Sequence, residues 1–149
     1  MRKEAVLSYK MTTADANNPG GIVPIGRQFD MWGDAETELM ILNDGDESLC
    51  LGYSNVKFYE DIYCGDQIDF KATLVKVGNT SRKCKLQTFK VATSAKNAGV
   101  INAKSTDIIY YDTPKLVGEA DVVLVVKKEV QRGIQPDGIV KNPWREIQY

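Results

Sequence analysis

The longest helical pattern in the chain covers residues 23–43. Apolar residues recur there at steps of three and four positions, as the buried face of an α-helix requires. They are Ile25, Phe29, Trp32, Ala35, Leu39 and Leu42. Pro24 suits a first turn, and the NDGD sequence at residues 43–46 is typical of a helix end. Because Met31 and Met40 widen the apolar face, we expect a helix about 30 Å long that other elements surround.

Most of the remaining chain alternates apolar and polar residues, which is typical of half-buried strands. The predicted strands cover residues 4–12, 48–62 (with a bend), 67–77, 82–94 and 121–130. Residues 96–118 are predicted to be irregular, with residues 108–111 as a short strand or a sheet edge. A strand, a loop, a long helix and then a run of strands form an α+β order.

A sheet in this order buries the helix best if it curls around it. We therefore predict the hot-dog fold, a long central helix wrapped by a curved antiparallel β-sheet of about five strands. Residues 1–130 form the predicted domain, and residues 131–149 form an irregular tail that packs on this domain or on a partner subunit. Pairing between two copies would cover the exposed edge strand of such a sheet. We expect a homodimer or a higher oligomer, such as a tetramer or hexamer.

Composition narrows the range of partners. The chain has 149 residues, of which 43% are hydrophobic and 26% charged, and its net charge is −1. This balance gives no general attraction to nucleic acid or to anionic lipid. The sequence has no apolar run typical of a membrane span and no signal-peptide core, so we expect a cytoplasmic protein. The three cysteines form no CxxC pair, which argues against a zinc or redox motif.

The chain contains no histidine. This excludes Ser-His-Asp and Cys-His arrangements and every imidazole metal site, and we predict no metal site. In an enzyme of this composition, Asp, Glu, Lys, Tyr or Cys must move the proton. Carboxylates in a tuned environment are the natural candidates.

Asp34 and Glu38 are the candidate catalytic carboxylates. They lie at positions i and i+4 of the predicted helix and share one face. On a surface helix this face would be solvated, but on a wrapped helix no face is freely open to water. Two carboxylates held close together can separate into an acid and a base. Glu36 projects nearer the apolar face. It is either a further carboxylate of the site or, as we expect more, a residue that reaches the rim or pairs with Arg27 or a lysine.

Three motifs carry a resemblance to a known family. They are WGDAETEL at residues 32–39, YSNVKF at residues 53–58 followed by a Gly65-Asp66 turn, and VGNTSRK at residues 77–83. In this order and spacing they resemble the hot-dog family that includes 3-aminobutyryl-coenzyme A (CoA) and β-alanyl-CoA ammonia-lyases. The resemblance runs over about residues 14–91. Asn17 stands where the family tends to have a histidine, and Pro24 replaces an acidic residue.

The resemblance implies a 3-aminoacyl-CoA ammonia-lyase of amino-acid fermentation, with an acyl-CoA thioester bound between two protomers. Coenzyme A then enters as part of the substrate, and no other cofactor is expected. Asp34 and Glu38 both lie in the family's helix motif, which favours Glu38 as the base and Asp34 as its acid or orienting partner. Backbone amides of residues 21–27 would polarise the thioester carbonyl, although a plain loop-to-helix turn is equally expected there.

The resemblance also implies two groups of substrate-binding residues. The first lies in the loop before the helix and at the helix start, and comprises Asp15, Asn17, Gly20, Gly21 and Arg27. The second is a polar hairpin whose free donors would contact pantetheine or the nucleotide phosphates, and comprises Asn79, Thr80, Ser81 and Arg82. The alternatives are that Asp15 is a loop cap, which we favour, that Arg27 is a helix-surface charge, and that the hairpin is a solvated turn.

Two other functions remain open at this point. A thioesterase would use the same carboxylate to activate water instead of removing a carbon-bound proton. A non-catalytic acyl-CoA-binding protein is the second alternative, and the missing histidine makes it more credible.

Overall fold

A computed structural model describes residues 1–132 and 134–135 of the chain. Its elements follow the order β1 (Glu4–Lys10), α1 (Gly26–Asp44), β2 (Leu49–Phe58), β3 (Gln67–Val77), β4 (Ser81–Ser94), β5 (Ile108–Val125) and a short 3-10 helix (Lys128–Val130). The described residues contain no helix that is long and apolar enough to cross a membrane.

The five strands form one antiparallel sheet in the order β1-β3-β4-β5-β2. Helix α1 packs on the face of this sheet formed by β1, β3 and β4. The sheet is open, so β1 and β2 are its two edges. The predicted hot-dog layout, with one long helix held by a five-stranded antiparallel sheet, is therefore confirmed.

The core lies between α1 and the inner face of the sheet. From α1, Trp32, Ala35, Leu39 and Met40 are fully buried, and Phe70, Leu86 and Val117 meet them from the sheet. Burying each large side chain of this kind contributes roughly 1.5–3 kcal/mol to folding.

The opposite face of α1 is open in the single chain, which corrects the expectation that no face of the helix is exposed. Its exposed residues are Asp30, Asp34, Glu38, Ile41 and Leu42. The sheet therefore holds the helix from one side, with β1, β3 and β4 packed against it and the two edges of the sheet not joined.

The helix begins at Gly26, three residues later than predicted. Val23 N–H donates to Ile62 O at 2.7 Å, and Ile22 forms a β-bridge with Tyr63. These bonds hold residues 22 and 23 against residues 62 and 63, and the turn that leads into the helix begins at Pro24, whose carbonyl accepts from Arg27 N–H. The helix end agrees with the prediction, since Gly45 has a left-handed φ of 69° and its N–H donates to Ile41 O.

The last strand differs most from the prediction. Residues 108–125, expected as two separate pieces, form one strand of 18 residues that pairs with both β4 and β2. The register between β4 and β5 shifts in the interval that contains Pro114, between the pairs Lys90–Lys115 and Ala92–Tyr110. Proline is tolerated there because an irregular interval requires no ladder hydrogen bond from it.

The described start of the tail packs on the domain. Gln131 and Gln135 are both buried, and Gln131 Nε2 donates to Asn79 O and Val126 O. Positions 133 and 136–149 of the predicted tail lie outside the described residues.

Candidate functional site

The loop before α1 is organised by Asp15. Its carboxylate accepts hydrogen bonds from Thr12 N–H at 2.7 Å, the Tyr9 hydroxyl at 2.9 Å and Arg27 Nε at 2.8 Å. Burial works to raise the pKa of Asp15, but these hydrogen bonds outweigh it and lower the pKa below the ordinary value. The Arg27 guanidinium also lies over the Tyr9 ring, 5.4 Å from its centroid. Asp15 therefore caps the loop and fixes Arg27 beside it.

The other loop residues of the first predicted group lie close by. Asn17 and Gly20 are exposed, and Gly21 makes the turn with a φ of 64°. Gly21 N–H donates to Asn18 O, and Arg27 N–H donates to Pro24 O. These two amides of the predicted oxyanion site are engaged inside the loop.

Arg82 of the predicted hairpin is not available to a ligand, so the expectation that it offers free donors to phosphates is wrong. Its side chain is fully buried and forms an ion pair with Asp44 at 3.1 Å. Its remaining N–H groups donate to Asp44, Gly78 O, Ser81 O and Gln135. Asn79 is exposed, and Thr80 and Ser81 are half-buried.

The two predicted binding groups lie at opposite ends of α1 within one chain. Arg27 stands in its first turn, whereas Arg82 contacts Asp44, its last residue. At 1.5 Å per residue, these ends are about 25 Å apart. A single chain therefore does not bring the first loop and the hairpin together.

Asp34 and Glu38 lie on the exposed face of α1. The apolar side chains Ile41 and Leu42 follow them toward the helix end and are 46% and 47% exposed. Shielding of the two carboxylates from water would therefore have to come from a second molecule, because their own sheet lies on the other side of the helix.

Glu36 is a buried carboxyl group in the middle of the helix, with 4% of its surface exposed; the other buried one, Asp44, pairs with Arg82. Its Oε1 accepts a hydrogen bond from the Tyr53 hydroxyl at 3.2 Å, and its Oε2 is buried without a partner. Burial raises the pKa of Glu36 to about 7, although the Tyr53 hydrogen bond opposes this. The expected pairing with Arg27 or a lysine is wrong, because Arg27 faces Asp15 and Asp30 instead.

Aromatic rings surround the N-terminal half of α1. Phe29 meets the rings of Trp32, Tyr53 and Phe58 edge to face at 5.3, 5.1 and 6.0 Å between centroids. Trp32 stacks on Phe58 at 5.8 Å.

Burial, followed by the charge of Glu36, also raises the pKa of Cys84 to about 12, so this thiol is protonated at neutral pH.

The sequence assigned no role to Gln28, Tyr53 or Thr88, which also place polar atoms in this interior. Their spacing in the sequence carries no signal, since helix and strands bring them together only in three dimensions. Among residues 1–132 and 134–135, no three acidic or thiol side chains converge in a way that would hold a metal ion.

Two surface cavities flank α1. One of about 620 Å³ lies at its C-terminal end and is lined by none of the predicted site residues. The other, of about 220 Å³, lies at its N-terminal end. Its wall comprises Val23, Ile25, Gln28, Phe58, Tyr59, Glu60, Asp61 and Ile62. The smaller cavity lies beside the aromatic rings and reaches, at Gln28, the helix face that carries Glu36.

Comparison with known proteins places the chain among CoA-dependent lyases. It is 36% identical over 129 residues to the 3-aminobutyryl-CoA ammonia lyase of Acetoanaerobium sticklandii, which covers 87% of this chain and 98% of the relative. The solved β-alanyl-CoA:ammonia lyase from Clostridium propionicum superposes with a TM-score of 0.80 at 36% identity, over 95% of this chain and 98% of that one. No family model matches the sequence.

More distant structures share the fold. A hexameric hotdog-fold thioesterase of Campylobacter jejuni has a TM-score of 0.63 at 21% identity, over 92% of this chain and 86% of that one. An acyl-CoA hydrolase from Staphylococcus aureus has a TM-score of 0.62 at 13% identity, over 94% of this chain and 69% of that one. At such identities the likeness concerns architecture alone. The identity to the two lyases extends over nearly the whole of each chain, and the protein therefore belongs to the hot-dog family of CoA ammonia-lyases.

Proposed function

We propose that this enzyme eliminates ammonia from a short 3-aminoacyl-CoA, and adds ammonia to the enoyl-CoA in reverse. The observation that carries the proposal is the 36% identity, over almost the full length, to two lyases named for 3-amino thioesters of CoA. The acyl chain of the substrate is proposed to be short, as in these relatives.

The elimination removes one proton and one amino group from neighbouring carbon atoms of the substrate. A base removes a proton from the carbon next to the thioester, and the electrons of that C–H bond form the double bond. The C–N bond of the protonated amine (–NH3+) breaks with its electrons on nitrogen and releases ammonia, which takes up the proton removed by the base and leaves as ammonium. The thioester carbonyl makes the neighbouring C–H bond acidic enough for a carboxylate base to remove its proton. We therefore propose no cofactor beyond the CoA of the substrate.

We assign the base to Glu38 and its acid or orienting partner to Asp34. The two residues lie one turn apart on the same face of α1. Strand β2, which follows α1 in the sequence, is an open edge of the sheet. A second copy covering this face and edge would exclude water from both carboxylates. Such a dimer would also bring the first loop of one copy close to the hairpin of the other.

The substrate-binding residues are proposed at the same interface. Asp15, Asn17, Gly20, Gly21 and Arg27 would meet one end of the thioester, and Asn79, Thr80 and Ser81 of the neighbouring copy would meet the other. We propose a homodimer or a larger assembly of dimers in the cytoplasm, in a route that degrades amino acids. The hexameric state of a fold relative agrees with such an assembly.

The first prediction concerns Glu38→Gln. Removing a general base lowers turnover by about 10²–10⁴-fold, so we expect elimination from 3-aminobutyryl-CoA and β-alanyl-CoA to fall by that factor. Glutamine keeps the shape of Glu38, which does not contribute to the core of its own chain, so the melting temperature should stay unchanged. Enoyl-thioester absorbance and released ammonia measure the rate.

Glu47→Gln is the matched control, since Glu47 is also exposed but lies beyond the helix. Full activity of the Glu38 variant would remove the assignment of the base. A free-thiol assay on the same substrates tests the thioesterase alternative, and thiol release without enoyl formation would contradict the lyase function.

A further inference from the structure

The backbone carbonyls of the hairpin at residues 78–81 are tied to the body of the protein. Arg82 Nη1 donates to the first and the last of them, at 3.1 and 3.0 Å. Val126 N–H donates to the third at 2.8 Å. Gln131 Nε2 donates to the second, Asn79 O, also at 2.8 Å. The acceptors of this turn are therefore all engaged by the rest of the chain.

One of these bonds comes from the start of the tail. Gln131 is 1% exposed, and its side-chain amide also donates to Val126 O at 2.9 Å. The next residue fastens the tail to the helix end, since Arg132 N–H donates to Asp44 O at 2.9 Å. Gln135, which is 5% exposed, donates to the Asp44 side chain at the same distance. The tail is thus anchored at the end of α1, and one of its side chains reaches the tip of the hairpin.

The hairpin tip presents two donors on its outer side. In a trans peptide unit the C=O and the following N–H point in opposite directions, and the described chain has no cis peptide bond. Because Gly78 O and Asn79 O are held inward, the N–H groups of Asn79 and Thr80 face away from the body of the protein. Neither donates to an acceptor among the described residues. Two successive free N–H groups of this kind can bind the oxygen atoms of an anion.

Two exposed lysines lie on the strands that the hairpin joins. Lys76 and Lys83 are paired directly across β3 and β4. In the part of the chain that the structure describes, neither forms an ion pair, whereas Lys85 is held by Glu119 and Asp121. Like charges directly opposite each other destabilise a sheet. A ligand with several negative charges would relieve this repulsion.

The substrate of the proposed lyase has such charges at one of its ends. Coenzyme A carries phosphate groups, whose oxygen atoms accept strong hydrogen bonds from backbone N–H groups and from lysine. The amino group at the acyl end is a cation, which the two lysines repel. The hairpin tip is therefore suited to the nucleotide end of the substrate.

We propose that Gln131 is a positioning residue, which holds the hairpin tip so that Asn79, Thr80 and the lysine pair bind the phosphates of the substrate's CoA. Gln131 does not touch the substrate. It acts through Asn79 O, because that carbonyl and the N–H of Thr80 belong to one rigid peptide unit. The proposal rests on the proposed lyase function for the identity of the ligand.

Gln131→Met tests the positioning role, because methionine keeps the length of the side chain and removes its N–H donors. With 3-aminobutyryl-CoA we expect the KM to rise about tenfold at an unchanged kcat, as for a lost hydrogen bond to a charged group. With 3-aminobutyryl-pantetheine, which has the same acyl end and no phosphate, we expect the variant and the unmodified protein to have the same KM.

Asn43→Leu is the matched control. Asn43 is also a buried amide, 6% exposed, and its side chain holds the backbone of Arg2 by two hydrogen bonds of 2.6 and 3.0 Å. The substitution removes comparable hydrogen bonds near the same end of α1, but it should leave the KM of both thioesters unchanged. For Gln131→Met, an equal rise in KM with both thioesters, or no rise with either, would overturn the positioning role.

An NMR titration of the unmodified protein with adenosine 3′,5′-bisphosphate tests the same contact without catalysis. We expect the backbone N–H signals of Asn79 and Thr80 to shift, and the side-chain amide signal of Gln131 to shift with them. A Gln131 signal that stays in place while the other two move would contradict its role. No shift at the hairpin would overturn the inference, even if the Gln131 variant does not fold.

Absence of lyase activity in the unmodified protein would have a different meaning. It would contradict the proposed function and leave the NMR titration to decide whether the hairpin tip binds phosphates.

Discussion

Glu36 shows how one residue couples stability to pH. Its pKa is about 7 in the fold, against an ordinary value of 4.5. Between these values the folded protein keeps a proton that the unfolded chain releases, so this contribution to stability is complete below pH 4.5 and is lost as pH rises through about 7.

We therefore predict a pH-dependent difference between the unmodified protein and Glu36→Gln. A shift of this size corresponds to roughly 3 kcal/mol. The free energy of unfolding of the unmodified protein should decline by up to that amount more than that of the variant between pH 5 and pH 8. Urea unfolding at a series of pH values measures this, and parallel curves for the two proteins would show that Glu36 is not buried as described.

The sequence placed Glu36 near the apolar face of the helix but not its partner. Phe29 and Trp32, which precede it by seven and four positions, gave that placement. Tyr53 lies 17 positions away on β2, and only the packing of β2 against the helix brings its hydroxyl to the carboxyl. The helical residues of the candidate site could thus be predicted from the sequence. The hydrogen bonds that join the helix to the strands could not.

At the scale of elements, Arg82 and Asp44 join the end of α1 to the start of β4. Both side chains are fully buried, and Gln135 Nε2 donates to Asp44 at 2.9 Å. One ion pair therefore connects the helix, the sheet and the beginning of the tail.

We predict that Arg82→Met lowers the free energy of unfolding by about 3–5 kcal/mol, because it leaves Asp44 buried without a counter-charge. The double variant Arg82→Met/Asp44→Leu should recover part of this loss. Denaturant unfolding of the single and double variants measures both effects. A raised KM for the CoA substrate with unchanged stability would instead restore the phosphate-binding role that the sequence suggested.

Regular alternation made the inner strands predictable. The bounds of β3 agree with the prediction and those of β4 differ by one residue, because each position alternates between a buried and a half-buried face. The first half of β5 lacks this signal, since residues 108–116 are exposed or half-buried. Pairing with β4 holds this half of β5 in the sheet. Because the register shifts along this stretch, the pairing leaves no regular alternation of apolar and polar residues in the sequence.

At the scale of the whole molecule, the open edge at β2 is the surface on which a second copy would bind. Leu49 and Leu51 of this strand are 56% and 71% exposed, and Ile41 and Leu42 lie exposed on α1. Exposed apolar residues on an unpaired edge strand favour association.

We predict that Leu51→Lys converts the proposed dimer to a monomer and abolishes activity, because a charge on this edge opposes pairing. Light scattering after size-exclusion chromatography measures the mass. Val75→Lys is the control, because Val75 is similarly exposed, at 66%, on β3 away from this edge. A dimer that survives the Leu51 substitution would place the interface elsewhere.

Gly118 has a consequence for how this family can diverge. The position tolerates no side chain as long as Gln28 keeps its amide there. A relative with alanine at the equivalent of 118 should therefore carry a shorter residue at the equivalent of 28, or turn that side chain away. Comparing the two positions across related lyases would show whether a single absent methyl group fixes where this amide lies in the interior.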